Sequence, residues 1–306
     1  MTRVFIDGSA GTTGLRIADR LAGRQDLTLV TLPEEKRKDP ETRLEAIRNA
    51  DVAFLCLPDD TARETAAMAS GVDTVLIDTS TAHRVDPAWI YGMAELPGQR
   101  ERIAGAKRIA NPGCHATGFV VLTAPLVRAG LISAEARLSC FSLTGYSGGG
   151  KKMIAQYEGD LDPLLKAPRM YGLAQTHKHL PEMAVWTGLK HPPVFCPVVA
   201  PYYAGMEVVV SLTPDQFSGS LDDMIRVYTE AYQTPIVHFD GSDSEAGFLS
   251  AGAFAGRDDL SVTVYGQPER IVLTARFDNL GKGASGAAIQ NMNLALGIAE
   301  TDGLVI

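Results

Sequence analysis

The apolar run Val4-Phe5-Ile6 passes through Asp7 straight into Gly8-Ser9-Ala10-Gly11-Thr12-Thr13-Gly14, and a helical pattern follows at residues 14–22. Few folds are open to a strand that ends in a glycine-rich turn and feeds a helix. Glycines let a backbone approach a pyrophosphate closely, and the helix N-terminus offers N–H groups and the positive end of its dipole. The spacing is G-x-x-G-x-x-G, a variant of the usual dinucleotide fingerprint. A plain strand-to-helix turn is the other reading, and the place of the motif after a first strand favours the nucleotide. Gly8, Ser9, Ala10, Gly11, Thr12, Thr13 and Gly14 are therefore candidate cofactor contacts.

The rhythm continues beyond the loop. Strands are expected at residues 27–32, 52–57 and 72–78, with helices at 42–49 and 60–69. This alternation predicts an α/β chain built on a Rossmann-type, doubly wound parallel sheet. The stretch Asp51-Val52-Ala53-Phe54-Leu55-Cys56-Leu57-Pro58 is apolar throughout its middle, as a strand buried on both faces must be. After about residue 112 the pattern changes. A helix is expected from Cys114 to residue 129, then strands at 137–143, 193–199, 206–212, 260–265 and 270–277. Gly266-Gln267-Pro268-Glu269 reads as the hairpin turn between the last two. A helix at 221–232 carries Ser220 as its N-cap and Asp223 three residues on. These elements predict an α+β catalytic or substrate domain with a mixed sheet. A chain of 306 residues calls for two domains, here 1–113 for the dinucleotide and 114–283 for catalysis.

Net charge of -8 disfavours non-specific nucleic-acid binding, which needs a basic face to displace counterions. Val4-Phe5-Ile6 is too short for a signal-peptide core, and no apolar run reaches the ~18 residues of a membrane span. Cys56, Cys114, Cys140 and Cys196 match neither zinc-site nor Cys-x-x-Cys spacing, so reduced thiols in a cytoplasmic protein and no bound metal are expected.

The end of the second strand bears on the cofactor. An acidic residue there holds the ribose 2′-hydroxyl of NAD, whereas cations suit the 2′-phosphate of NADP. Glu34-Glu35-Lys36-Arg37-Lys38 follows Pro33. Its cations favour NADP, with Lys36 and Arg37 as contacts, while the glutamates leave NAD open.

Asn111-Pro112-Gly113-Cys114-His115 joins the two halves. Cys114 lies where a helix should begin, so its dipole and N–H groups would favour a thiolate and hold an oxyanion. A thiolate both attacks and leaves well, which suits acyl transfer. A small buried structural cysteine is the alternative, and it is the reading given to Cys56, Cys140 and Cys196. Gln175-Thr176-His177-Lys178-His179-Leu180-Pro181-Glu182 offers two imidazoles for acid–base work. An alternating His pair also suits metal, but no third ligand stands at metal spacing. The second glycine loop, Gly145-Tyr146-Ser147-Gly148-Gly149-Gly150-Lys151, follows a strand and offers Ser147 and Lys151, unless it is a flexible surface loop. Asp78-Thr79-Ser80-Thr81-Ala82-His83-Arg84 ends the fourth strand, at the carboxyl edge where open α/β sheets bind ligands. Arg84 there can clamp a phosphate.

Together these segments, with Tyr91-Gly92-Met93-Ala94-Glu95-Leu96 and Asp278-Asn279-Leu280-Gly281-Lys282-Gly283-Ala284-Ser285-Gly286, resemble the shorter form of the N-acetyl-γ-glutamyl-phosphate reductase family, within the aspartate-semialdehyde-dehydrogenase-like superfamily. The resemblance runs along essentially the whole chain. It implies NADPH-dependent reduction of N-acetyl-γ-glutamyl phosphate to N-acetyl-glutamate 5-semialdehyde, with phosphate release, in arginine biosynthesis. It implies that Cys114 is the nucleophile forming a thioester and His177 the acid–base. Substrate contacts would be Ser80, Arg84, Asn111, Ser147, Lys151 and His179. Leu57, Pro58, Ser80, Gly148 and Asn279 would join the cofactor contacts. It further implies that a helix at 284–306 completes the dinucleotide domain and that 114–283 also carries oligomerisation into a homodimer or homotetramer. The chain departs from the family pattern at His115, where an aromatic is common, and at Gly149-Gly150-Lys151, where Ala-Gly-Arg-like residues are common. The nearest alternatives are aspartate-semialdehyde dehydrogenase, a lysine-pathway aminoadipyl homologue with the same chemistry, and an NADP-binding protein without catalysis.

Overall fold

The computed structural model describes residues 1–160, 162–241 and 244–306. The chain forms two units, one of Met1–Gly113 with Ala284–Leu304 and the other of Cys114–Gly283 with Val305–Ile306.

The first unit begins with β1 (Thr2–Asp7), α1 (Thr12–Leu21), β2 (Leu27–Val30), α2 (Pro40–Arg48), β3 (Val52–Leu55), α3 (Asp59–Met68) and β4 (Val75–Asp78). It continues with β5 (Ile90–Tyr91), α4 (Gln99–Ala104) and β6 (Arg108–Ala110). The six strands lie in the order β2-β1-β3-β4-β6-β5, and every pairing is parallel. Side chains alternate across a strand, so each strand feeds two cores. Val4, Ile6, Val52 and Phe54 pack with Ile17 and Leu21 of α1 on one face. Phe5, Ala53 and Leu55 pack with Ala46 and Ile47 of α2 on the other. That double burial is why these strands read as unbroken apolar runs.

Several strands are shorter than their apolar runs. Pairing of β2 stops at Phe5 with Val30. Thr31 and Leu32 line a cavity instead. Val72 and Thr74 precede β4 rather than pair in it, with the Val72 amide donating to the Ala69 carbonyl and the Thr74 hydroxyl to those of Ile47 and Ala50. α2 starts at Pro40 because Asp39 caps it, accepting from the Thr42 amide at 2.8 Å.

The second unit comprises α5 (Cys114–Arg128), β7 (Ser139–Gly145), α6 (Gly150–Glu158), β8 (Arg169–Met170) and α7 (Leu180–Thr187). It closes with β9 (Val194–Ala200), β10 (Met206–Leu212), α8 (Leu221–Ala231), β11 (Val237–Phe239), β12 (Leu260–Gln267) and β13 (Arg270–Phe277). Its seven strands run β11-β12-β13-β10-β7-β9-β8. The sheet is mixed: β7–β9 and β11–β12 pair in parallel and the other neighbours antiparallel. The expected capping box is present at Ser220 and Asp223. The β12–β13 hairpin turns between Gln267 and Arg270.

α5 is buried along most of its length. Gly118 lets it settle onto the sheet, since a Cβ there would lie 2.4 Å from Val208 Cγ2. Pro125 sits inside the helix and has no N–H for the carbonyl four residues back. The Tyr232 hydroxyl supplies the missing donor, reaching the Val121 carbonyl at 2.5 Å. After β13 a π-type turn, Gly281–Ser285, leads into α9 (Gly286–Ala295), which belongs to the first unit. There Ile289 and Met292 join the α1-side core. The tail is tied down by Arg100 to Glu300 and by Arg24 to Asn293.

Candidate active site

At the strand-order reversal of the first sheet, between β1 and β3, the carboxyl ends of both strands meet the glycine loop. Gly8 has φ +85°, and a Cβ there would lie 2.2 Å from the Cys56 carbonyl oxygen. No L side chain fits, so the loop can follow this path only with glycine. A Cβ on Gly14 would lie 2.6 Å from the Gly8 oxygen, so the start of α1 presses on the turn. Gly11 occupies the N-cap of α1 without a side-chain cap bond, and Thr12 Oγ1 is buried with no hydrogen-bond partner. A close backbone cradle, an uncapped helix start and an orphan hydroxyl fit the phosphates of a dinucleotide.

A cavity of about 610 Å³ opens beside the loop, lined by Gly8, Ser9, Ala10, Thr31, Leu32, Leu57 and the cations Arg37 and Lys38 among others. Lys36 ends a short 3-10 turn, Glu34–Lys36, and is not in that lining, whereas Lys38 is. Asp7 and Arg43 line the same cavity as a buried pair at 2.7 Å. Burial outweighs the guanidinium and raises the Asp7 carboxyl above its ordinary value. Pro58 is the N-cap of α3. Burial pushes the Cys56 thiol up to about 12, which keeps that sulfur protonated.

The loop after β4 folds on itself. Ser80 Oγ donates to Asp78 Oδ2 at 2.8 Å, and His83 Nδ1 lies 2.7 Å from the same oxygen. Arg84 donates Nε to the Asn111 carbonyl at 2.9 Å and Nη2 to the Thr79 carbonyl at 3.0 Å. Asn111 donates to the Ala284 carbonyl and accepts from Asn291, both at 3.0 Å. Within this unit Arg84 and Asn111 thus brace the segment that leads to Cys114.

In the second unit Cys114 is the first residue of α5 and half-buried. A Cβ on Gly283 would lie 2.8 Å from the Cys114 Cβ, so the π-type turn presses on the cysteine. His115 is buried, with Nδ1 2.7 Å from Ser142 Oγ and Nε2 2.7 Å from Tyr171 Oη. Burial, and then the His177 charge, hold its pKa down at about 3. Its ring centroid lies 5.8 Å from His177 and 5.5 Å from His179, and the last two are 4.8 Å apart. Phe195 meets His115 and His177 edge-on at 5.2 and 5.1 Å. The His179 amide donates to His177 Nδ1 at 3.3 Å, so a neutral His177 ring carries its proton on Nε2.

Gln175 holds this segment in place. Its side-chain amide both donates to and accepts from the Phe195 backbone, at 2.7 and 2.9 Å, and its φ of 54° is unusual for a non-glycine residue. Gln175, Tyr171, Ser142 and Gly283 escaped the sequence reading. Gly283 and Gln175 lay inside segments singled out in the sequence without being given a role, whereas Ser142 and Tyr171 stand in or beside strands whose register brings them to the cluster. Ser147 is buried and accepts from Asn279 Nδ2 at 2.9 Å, while Asn279 Oδ1 accepts from the Gly205 amide at 3.0 Å. A Cβ on Gly148 would lie 3.3 Å from Asn279 Nδ2, so Ser147, Gly148 and Asn279 cluster. Lys151 is exposed near the start of α6.

Among the described residues no three His, Cys, Asp or Glu are placed to hold a metal, and no helix is long and apolar enough to cross a membrane. Residues 3–106 match the family described as semialdehyde dehydrogenase, NAD binding domain, and residues 114–279 match semialdehyde dehydrogenase, dimerisation domain. The crystal structure of aspartate semialdehyde dehydrogenase II from Vibrio cholerae has the same fold, with TM-score 0.73 at 18% identity over 97% of this chain and 99% of that one. Aspartate semialdehyde dehydrogenase with NADP from Candida albicans follows it at TM-score 0.68 and 15% identity, covering 98% and 100%. A parallel NAD(P)-binding sheet joined in one chain to a mixed-sheet dimerisation domain defines an oxidoreductase of the semialdehyde dehydrogenase class. Within that class, N-acetyl-gamma-glutamyl-phosphate reductase 2 of Pseudomonas putida is 43% identical over 98% of each chain. N-acetyl-gamma-glutamyl-phosphate reductase of Brucella ovis is 45% identical over 96% of this chain and 99% of its own. The chain belongs to the N-acetyl-gamma-glutamyl-phosphate reductase family.

Proposed function

We propose that the protein reduces N-acetyl-γ-glutamyl phosphate to N-acetyl-glutamate 5-semialdehyde with release of phosphate, through a thioester on Cys114. The observation that carries the chemistry is the opening of α5: Cys114 begins the helix, and the next residue, His115, touches the His177 ring. The helix start favours a thiolate and leaves first-turn N–H groups for an oxyanion. The Cys114 sulfur attacks the acyl carbonyl, the carbon–oxygen bond to phosphate breaks, and phosphate leaves with the electron pair. The Gly8–Gly14 turn would hold NADP, with Arg37 and Lys38 of the adjoining cavity as the residues for its 2′-phosphate, and the reduced cofactor would supply hydride to the acyl carbon. His177 gives the Nε2 proton to the developing hemithioacetal oxygen and takes it back as the aldehyde leaves and the thiolate re-forms. His179, Ser147 and Lys151 contact the substrate. Arg84 and Asn111 hold the Cys114 approach, as their carbonyl and amide bonds suggest.

We further assign a homodimer or homotetramer, with the half-exposed Phe141 and exposed Val194 on the second sheet as partner surface, and a cytoplasmic setting. The test is NADP reduction by purified protein with N-acetyl-glutamate semialdehyde and inorganic phosphate. Turnover that depends on phosphate and vanishes in Cys114→Ser supports the reading. Turnover without phosphate, or near-normal turnover in Cys114→Ser, overturns it.

A further inference from the structure

His83 lies outside the proposed reaction. It belongs to the first unit, on the loop that leaves β4, and it is buried. Asp78, the last residue of β4, is wholly buried beside it. Asp78 Oδ1 accepts from the Ser80 amide at 2.9 Å, and Oδ2 faces Ser80 Oγ at 2.8 Å and His83 Nδ1 at 2.7 Å. An ionised carboxylate only accepts, so Ser80 gives Asp78 its one hydroxyl proton and His83 gives the proton on Nδ1. The Ala82 amide donates to Ser80 Oγ at 3.1 Å. A hydroxyl oxygen has two lone pairs, so one is left. Ser80 can therefore accept one more hydrogen bond and has none to give. The imidazole is held by its face as well as its edge, stacked on buried Trp89 at 4.1 Å and 14°.

The loop is stitched to the nucleotide cavity. The Thr79 amide donates to the Leu55 carbonyl at 3.0 Å, and the Thr81 amide to Asp59 Oδ1 at 2.9 Å. Leu57, between those two anchors, lines the cavity beside the glycine turn. Strand order then orients a dinucleotide. Arg37 and Lys38 follow β2, the glycine turn follows β1, and β3 and β4 lie on the other side of β1. Neighbouring strands are roughly 4.8 Å apart, so β4 stands about 10 Å from β1. With the 2′-phosphate over β2 and the pyrophosphate over β1, the nicotinamide riboside extends toward the end of β4. That half of the molecule carries hydrogen-bond donors, the carboxamide N–H and the ribose O–H groups. We propose that Ser80 Oγ accepts a hydrogen bond from the nicotinamide riboside of NADP, and that His83, acting through Asp78, is the positioning residue that keeps Ser80 an acceptor. The proposal rests on the cofactor reading above and is independent of the chemistry at Cys114. Without the Nδ1 donor the carboxylate keeps two bonds of three and is freer to turn, which releases the Ser80 proton to point outward. A donor then faces a donor.

The experiment is binding to the intact protein without acyl substrate, with NADPH followed by its fluorescence and 2′,5′-ADP, which lacks the nicotinamide riboside, by calorimetry. Ser80→Ala is expected to raise the Kd for NADPH about tenfold and to leave that for 2′,5′-ADP unchanged. His83→Phe keeps an aromatic ring against Trp89 and should raise the Kd for NADPH about fivefold. His83→Asn, whose amide nitrogen can stand where Nδ1 stands, should return most of that loss. Ser80→Ala with His83→Phe should add nothing to Ser80→Ala alone, because His83 acts through Ser80. A third ligand, 2′-phospho-ADP-ribose, keeps the second ribose and lacks the carboxamide. If Ser80→Ala weakens it the donor is the ribose, and if not the donor is the carboxamide, and either result supports the proposal. Unchanged NADPH affinity in Ser80→Ala overturns it, as do equal losses for 2′,5′-ADP or a fully additive double variant. If His83→Phe fails to fold by circular dichroism, Ser80→Ala and His83→Asn decide. An unaltered chain that does not bind NADPH would sink the cofactor reading itself, whereas binding indifferent to Ser80 sinks this proposal alone.

Discussion

Gly283 lies so close to Cys114 that a methyl group on it would stand 2.8 Å from the cysteine Cβ. The same methyl would meet the Asp278 carbonyl at 3.2 Å, so it has nowhere else to go. Gly283→Ala should therefore displace the first turn of α5. A displacement of this kind costs on the order of 100-fold in kcat when it moves a nucleophile by ~1 Å. Steady-state kinetics, with circular dichroism to show an intact fold, provide the check. Unchanged kcat would mean that the turn yields and the cysteine stays.

His115 predicts a sensitivity to acid. Its folded pKa of about 3 lies below the ~6.5 of an unfolded histidine. Below pH ~6.5 the unfolded chain takes up a proton that the native chain refuses, so this stability is complete above that pH and is lost as pH falls toward 3. Between pH 7.5 and 5 the loss is about 2 kcal/mol. His115→Gln should remove that part of the decline. Urea midpoints of both proteins at the two pH values will show it, and parallel declines would refute it.

Tyr232 repairs a break that Pro125 makes in α5. Its hydroxyl reaches the Val121 carbonyl at 2.5 Å. Tyr232→Phe leaves that buried oxygen without this donor and should cost about 1–3 kcal/mol. Denaturant unfolding measures the loss. A change within error would show that water or a shifted neighbour takes the place of the phenol.

Arg37 and Lys38 line the cavity beside the glycine loop. Removing either charge should raise the KM for NADPH about tenfold, in line with one charge-assisted contact, and leave the KM for NADH nearly unchanged. Lys36→Ala should change both little, since Lys36 is outside that lining. Equal losses for both cofactors in Arg37→Ala would remove it from the 2′-phosphate site.

Much of the fold was legible because it rests on local pattern. The run through Ile6 into Gly8 announces a strand and a glycine turn, and the structure uses Gly8 at φ +85° against the Cys56 carbonyl. The box at Ser220 and Asp223 is equally local. Two-residue strands such as β5 and β8 carry no period to read, and their pairing with β6 and β9 makes them strands. The candidate site stands out in the sequence at Cys114 and at the His177–His179 pair, where Gly, Pro and His types are conspicuous. It was illegible at Ser142, Tyr171 and Gln175, whose residue types are unremarkable.

Chain order by itself determined where apolar runs, glycine turns and helix caps fall, and with them the parallel sheet, the mixed sheet and the exceptional cysteine. Only the tertiary structure decided which side chains meet. Ser142 lies 27 positions from His115 and Tyr171 lies 56, yet both close on one imidazole. Asn111 and Arg84, read from the sequence as substrate contacts, donate to backbone carbonyls of Ala284, Asn111 and Thr79. The physical reason is that backbone geometry is set by neighbours a few residues away, whereas a buried hydrogen bond is set by register between strands distant in sequence. Burial then makes each such bond obligatory.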